Sequence, residues 1–320
     1  MALAWAAPTQ AAEICQPYQP RPVVVLAEAP YRLPDGRVRV VGYNDMAEML
    51  GALGTAFTAR QPEIRFVFTL EGTRTAPPAL IDGTSAFAPM GAEFTHEDLT
   101  RYRARWGAEP VPLRIAHDSV DPRARSSPIG IFVNSANPLA RITLSQVRGV
   151  LSGRITRWNQ LGLAKPPGSI HPTGLAADRA LGLYMRNRLL GGGNFAPGYA
   201  GFNQSRAAIA AIASDPQALG FADLSHASKG VRALALAERH DGPWHSGSAA
   251  DVAGGTYPLD RHLLIYAPHN ALATAATISR AFLDFALSCE GQAIVAQGTL
   301  GYAPLDPESL AGERSKLGKP

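Results

Sequence analysis

With 320 residues, 46% of them hydrophobic and 18% charged, the chain can bury one large core or two ordinary ones and is not a disordered polymer. Thirty basic residues against 26 acidic ones leave a net charge of +4 that is scattered rather than gathered into an arm or helix stripe, which argues against nucleic-acid binding. No stretch approaches the run of about 18 apolar residues that a membrane span needs.

In chain order, residues 1–12 (MALAWAAPTQAA) are small and apolar and end near a signal-peptidase-like site, without a basic n-region or a full h-region. They read as the remnant of an export signal, or else as a disordered Ala-rich terminus. A Pro-rich arm follows over 13–37, with Pro17, Pro20 and Pro22. Cys15 in this arm and Cys289 near the far end have neither CxxC nor metal-ligand spacing, so zinc and iron-sulfur readings fail and no metal is expected. In an exported chain they could form a disulfide that tethers the arm; two unpaired thiols fit the sequence equally well.

VRVVG (38–42) predicts a strand running into a helix with apolar positions Met46, Met49, Leu50, Leu53 and Phe57, for which Asn44 or Asp45 is the natural N-cap. IRFVFTL (64–70) predicts a second strand. EGTRTAPPALIDG (71–83) predicts a glycine turn carrying Thr73, Arg74 and Thr75 into a helix with Pro77 in its first turn. A strand that delivers a helix N-terminus can hold an anion on free backbone N–H groups, although capping and turn chemistry alone account for the same residues.

LRIAHDSV (113–120) places His117, Asp118 and Ser119 in a row. Adjacent residues on an extended chain point to alternate faces, so the three cannot relay a proton among themselves. There is no GxSxG, HExxH or GxxxxGK[ST] motif. His240 and His245 sit in a Gly/Pro loop that reads as surface. Ile129 to Val133 predicts a buried strand. Beyond the Asn137-Pro138 turn, Thr143 caps a helix with Leu144, Val147, Val150 and Leu151 on one face and Ser152-Gly153 as its stop. Leu181, Tyr184, Met185 and Leu189 mark a helix after HPTGLAADRA (171–180), with Asp178 available to cap it and to offset Arg179. GFNQSRAAIAAIA (201–213) is a loop entering an Ala/Ile helix, with Gln204, Ser205 and Arg206 at its start and Ser205 as its cap.

The string IGIFVNSANPLARITLSQVRGVLSGRITRWNQLG (129–162) closely resembles a segment of the phosphate-type, PstS-like substrate-binding proteins of ABC transporters. DPQALGFADL (215–224), YPLDRHLLIY (257–266) and FLDFALSCEGQAIVAQGTLGYAPL (282–305) resemble further segments of that family in the same order. The resemblance implies an α/β fold of the two-lobe periplasmic-binding-protein-like type II, with mostly parallel sheets flanked by helices, a two-strand hinge and the ligand in the interlobe cleft. Lobe one is expected at 38–116 plus 262–305 and lobe two at 128–256. The crossovers fall at 117–127 and 257–261, and 306–320 reads as a solvated tail.

The ligand elements depart from the family pattern. The segment around Ala86, Met90, Gly91 and Ala92 lacks the usual polar groups. Arg179, Ala180 and Leu181 stand where the family has Ser-Gly-Thr, and Leu175 replaces its arginine. The expected ligand set is therefore Asn44, Asp45, Thr73, Arg74, Thr75, Arg179, Gln204, Ser205 and Arg206, around a phosphate-like oxyanion or an organic anion. The resemblance further implies a non-enzymatic, monomeric, periplasmic or otherwise extracytoplasmic protein without a cofactor, working with an ABC permease. A ligand sensor or scaffold for a membrane partner that has lost phosphate binding is the alternative.

Overall fold

Buried backbone must satisfy its N–H and C=O groups, and among the described residues the strands do so in four sheets. The computed structural model describes residues 15–124, 126–163, 168–272 and 276–318; the expected signal remnant at 1–12 lies outside the described residues. The chain divides into two compact units. One runs up to Ala116 and takes up Leu263–Gly298 and Pro304 onward; the other is His117–His262 with Thr299–Ala303.

In the first unit, β1 (Val38–Val41) pairs in parallel with β2 (Phe66–Thr69), Val38 opposite Phe66. Parallel neighbours need a crossover, supplied here by α1 (Ala47–Arg60), which buries Met49, Leu50, Leu53 and Phe57 at helical spacing. Neither Asn44 nor Asp45 caps this helix. Both lie in a 3-10 turn, Asn44–Met46, begun by Tyr43, whose N–H donates to the Pro89 carbonyl at 3.0 Å. That bond commits the turn early, and wholly buried Met46 holds it.

Next come α2 (Ala76–Ile81), β3 (Ala88–Met90) and α3 (His96–Trp106), the last started by a Thr95/Asp98 capping box. β4 (Val111–His117), β12 (His262–Ala267), β13 (Ala303–Pro304) and β3 form a sheet in the order β13-β4-β12-β3, with β12 antiparallel to β3. Its core is aromatic: Phe87 stacks on Phe282 at 4.7 Å, and Phe57 meets Phe285 edge-on at 5.8 Å.

Here α8 (Ile278–Ala286) passes almost at once into α9 (Cys289–Ala296). A Cβ on Gly291 would lie 2.2 Å from the Phe285 carbonyl oxygen, so the tight junction requires glycine. Next to it, buried Gln292 donates from Nε2 to the carbonyls of Ile115 and Ala286 and accepts the Leu305 N–H at Oε1.

The residues expected to form a solvated tail are a helix instead, α10 (Pro307–Lys316). Asp306 accepts the N–H groups of Glu308 and Ser309, and Pro307 sits in the first turn. Few apolar residues mark this helix; its anchor is Glu313, wholly buried and paired with Arg114 and Lys316. The arm is tied to the same unit. Cys15 and Cys289 form a disulfide, the Cys289 N–H donates to the Gln16 carbonyl, and the Tyr18 N–H donates to Glu290.

The second unit is built on β5 (Ile129–Asn134), all six residues of which are buried. Its sheet runs β10-β5-β9-β7-β8, with β10 (Val231–Ala233) and β9 (Ala218–Asp223) antiparallel to β5, and β7 (His171–Leu175) parallel to both β9 and β8 (Ala200–Phe202). This five-stranded sheet is thus mixed, because a strand buried on both faces reads the same whichever way its neighbours run. β6 (Arg141–Thr143) pairs in parallel with β11 (Ala235–Ala237), as β1 does with β2. It leads into α4 (Leu144–Leu151), capped as expected: Thr143 accepts the Gln146 N–H while Gln146 accepts that of Thr143. Trp158 is wholly buried and donates from Nε1 to Gln217 at 2.7 Å. The remaining helices are α5 (Ala180–Leu190), α6 (Ser205–Ser214) and α7 (Ala249–Ala253).

Candidate ligand-binding site

In the first unit the loops after β1 and β2 are hydrogen-bonded to each other, the Gly72 N–H donating to the Gly42 carbonyl at 3.0 Å. A Cβ on Gly42 would lie 2.4 Å from the Pro89 oxygen, so only glycine lets the loop pass. This brings Asn44 and Asp45 near Thr73, Arg74 and Thr75 at the carboxyl edge of a parallel pair, the place where open α/β sheets bind ligands. Asn44, Asp45, Thr73 and Thr75 are partly buried and Arg74 is exposed. The Thr75 hydroxyl donates to the Gly72 carbonyl at 2.8 Å and serves the turn.

In the second unit β7 and β8 lie side by side and parallel, followed by α5 and α6 respectively, so the two helix N-termini share one edge of the sheet. Arg179, not Asp178, occupies the N-cap position of α5. Its Nε donates to Asn203 Oδ1 at 3.1 Å and lies 3.8 Å from Asp178 Oδ1. Arg179 is thereby brought to the loop that contains Gln204. Gln204 is the N-cap residue of α6 without a side-chain capping bond. Ser205 follows it and does not cap: its hydroxyl oxygen accepts the Asp223 N–H at 3.2 Å, because β9 runs beside the helix start. Arg206 is exposed.

Residues 27–290 match the family described as the PBP superfamily domain. The chain belongs to that superfamily. This PBP-superfamily chain is 25% identical over 296 residues to the phosphate-binding protein PstS of Pseudomonas aeruginosa, covering 88% of this chain and 86% of the relative. It shares its fold with an ABC-type phosphate transport receptor from Vibrio cholerae (TM-score 0.55, 20% identical, 83% of this chain and 98% of that one). PstS from Borrelia burgdorferi is similar too (TM-score 0.56, 16% identical, 84% of this chain and 99% of that one). The two-lobe periplasmic-binding-protein-like α/β fold implied by the sequence resemblance is the fold of this chain. It is a solute-binding protein and not an enzyme.

His117, Asp118 and Ser119, adjacent in sequence, meet Asp260, Arg261 and His262, a grouping the sequence does not announce. At the ends of β4 and β12, His117, Asp118 and Arg261 are buried, and Asp260 and His262 nearly so. His117 Nδ1 lies 2.5 Å from Asp260 Oδ2, Ser126 donates to Asp118 at 2.7 Å, and the Ser119 hydroxyl donates to the Leu300 carbonyl. The three consecutive side chains thus take three different partners, as alternation along an extended chain requires. Burial pushes the Asp118 carboxyl up to about 6, against the opposing pull of Arg261 and Ser126. Burial also raises Asp260, against His117. Among the described residues, His117, Asp260 and His262 are the group whose donor atoms could hold a metal ion. No local spacing announces them, since His117 and Asp260 are separated by 143 positions.

Proposed function

We propose that this PBP-superfamily chain is an exported, monomeric receptor that delivers a small anion to an ABC permease, and that phosphate is not its preferred ligand. The observation that carries the reading is the parallel β7–β8 pair, which sets two helix starts side by side with Arg179, Gln204 and Arg206 among them. Backbone N–H groups and guanidinium forks at such an edge suit a carboxylate or oxyanion. Asn44, Asp45, Thr73, Arg74 and Thr75 are the first unit's polar set. Asp45 accepts a hydrogen bond only from a protonated or hydroxyl-bearing ligand, which favours such anions over sulfate. The relatives' names support phosphate-like chemistry, and the Cys15–Cys289 disulfide supports an oxidising, extracytoplasmic location. Among the described residues no helix is long and apolar enough to cross a membrane.

A specific observation favours a second reading, a sensor or scaffold that has lost phosphate binding: the Thr75 and Ser205 hydroxyls are engaged within the protein. A thermal-shift screen with phosphate, phosphonates, sulfate, molybdate, arsenate and small organic acids separates the two. A ligand at a hundred times its Kd adds about 2.7 kcal/mol to the folded state. The receptor reading expects a clear rise in Tm with at least one anion; no shift with any of them supports the scaffold.

A further inference from the structure

His117 and His262 of the second unit take no part in the anion reading, and their surroundings suit a cation. His117 Nδ1 lies 2.5 Å and His262 Nε2 3.8 Å from the same oxygen, Asp260 Oδ2, and the imidazole rings are 4.7 Å apart centre to centre. The three donor atoms all fall within 4.8 Å of one another. Ligands of one tetrahedral ion at metal–ligand distances near 2.1 Å sit about 3.4 Å apart, so small side-chain rotations close the set.

The carboxylate is aimed by its neighbours. Asp260 Oδ1 accepts the Arg261 N–H at 2.8 Å, and the Tyr184 hydroxyl donates to the Asp260 carbonyl at 3.1 Å. Such outer partners fix the orientation of a ligating group. The charges leave room for a cation. Asp118 and Asp260 face one guanidinium, Arg261, whose NH1 lies 3.8 Å from Asp118. In a region of low dielectric two neighbouring carboxylates are costly, and a bound ion lowers that cost.

We propose that His117, Asp260 and His262 bind Zn2+ through two imidazole nitrogens and one carboxylate oxygen. Two nitrogens to one oxygen suit zinc and similar first-row ions, whereas Ca2+ and Mg2+ take shells of oxygen. On binding, the proton held between His117 Nδ1 and Asp260 Oδ2 leaves to solvent, and the nitrogen lone pair goes to the metal. The ion then joins His117 at the end of β4 to Asp260 and His262 at the start of β12.

The test uses the full chain, stripped with chelator and dialysed against micromolar free Zn2+, with metal counted by elemental mass spectrometry. One ion per chain is expected, with a rise in Tm and, for Co2+ in its place, a visible ligand-field absorption. His262→Ala, at the most accessible of the three positions, lowers affinity about tenfold or more, and Asp260→Asn does the same. His171→Ala and His245→Ala, which alter the other histidine-aspartate pairs, leave uptake unchanged. No uptake by the parent chain overturns the proposal, as does equal uptake by the folded His262→Ala protein. Loss of the ion in His171→Ala or His245→Ala assigns it elsewhere and overturns the proposal as well.

Discussion

At the start of α5 a guanidinium stands where the helix dipole favours an anion, an arrangement that costs up to about 1 kcal/mol when nothing offsets it. Asn203 and Asp178 offset it partly. Arg179→Ala is therefore expected to change folding stability by no more than about 1 kcal/mol while weakening a ligand found by the screen tenfold or more. Equal binding by parent and variant would remove Arg179 from the site. Phosphate is the harder case for this chain. Two hydroxyls and one arginine of the resembled family pattern are replaced here, and charge-assisted hydrogen bonds contribute about 1.5 to 3 kcal/mol each. The expected loss is on the order of 5 kcal/mol, or several thousandfold in affinity. Calorimetric titration should thus give a phosphate Kd weaker than micromolar; a tighter value means that Arg74, Arg179 or Arg206 has taken over the lost contacts. Gln292 is a residue whose weight is structural. Its three hydrogen bonds join β4, α8 and the chain before α10, and Gln292→Leu takes this partner from two carbonyls and an N–H. A cost on the order of 3 kcal/mol in urea unfolding is expected.

Among the elements, α7 shows how a short helix can be held by one carboxylate. Asp251 accepts the N–H groups of Ser246, Gly247 and Ser248 and lies 3.1 Å from His245 Nδ1, so His245 is a partner of this helix start rather than a surface-loop residue. Burial works to raise Asp251, but His245 and the Ser248 and Ser246 donors prevail and hold it at about 2. A folded-state value below the ordinary 3.8 means that this stabilisation is fully present above pH 4 and fades as pH falls toward 2. The gap between parent and Asp251→Ala in urea midpoint should accordingly be widest near neutral pH and shrink through that window. A gap that stays constant with pH would show that the carboxylate charge is not responsible. The elements also differ in how far they could be read. The Thr143 capping box lies within four residues and was legible; α10 was not, because its anchor Glu313 depends on Arg114, far away in the chain.

On the scale of the whole chain, the Cys15–Cys289 disulfide closes a loop between positions 274 apart. A cross-link of that length constrains the unfolded chain strongly, and removing a native one typically costs about 2–5 kcal/mol. Cys15→Ser with Cys289→Ser is expected to lower Tm by several degrees and to speed proteolysis at Arg21 in the arm. Unchanged protease sensitivity would mean that the Gln16, Tyr18 and Glu290 hydrogen bonds suffice to hold the arm.

Much of this was decided by the sequence alone. The strand at 129–133, the helix capped by Thr143 and the buried faces of α1 and α4 follow from spacings within one or two turns of chain, where neighbouring residues have only a few geometric options, while the family came from the resemblance of four segments in the same order. The tertiary structure decided which strands are antiparallel, that Ser205 turns toward β9 and Arg179 toward Asn203, and that Glu313 anchors a terminal helix. It also brought His117 to Asp260 and His262. Those contacts join residues from distant parts of the chain, and their geometry is set by strand order and packing, which no local pattern encodes.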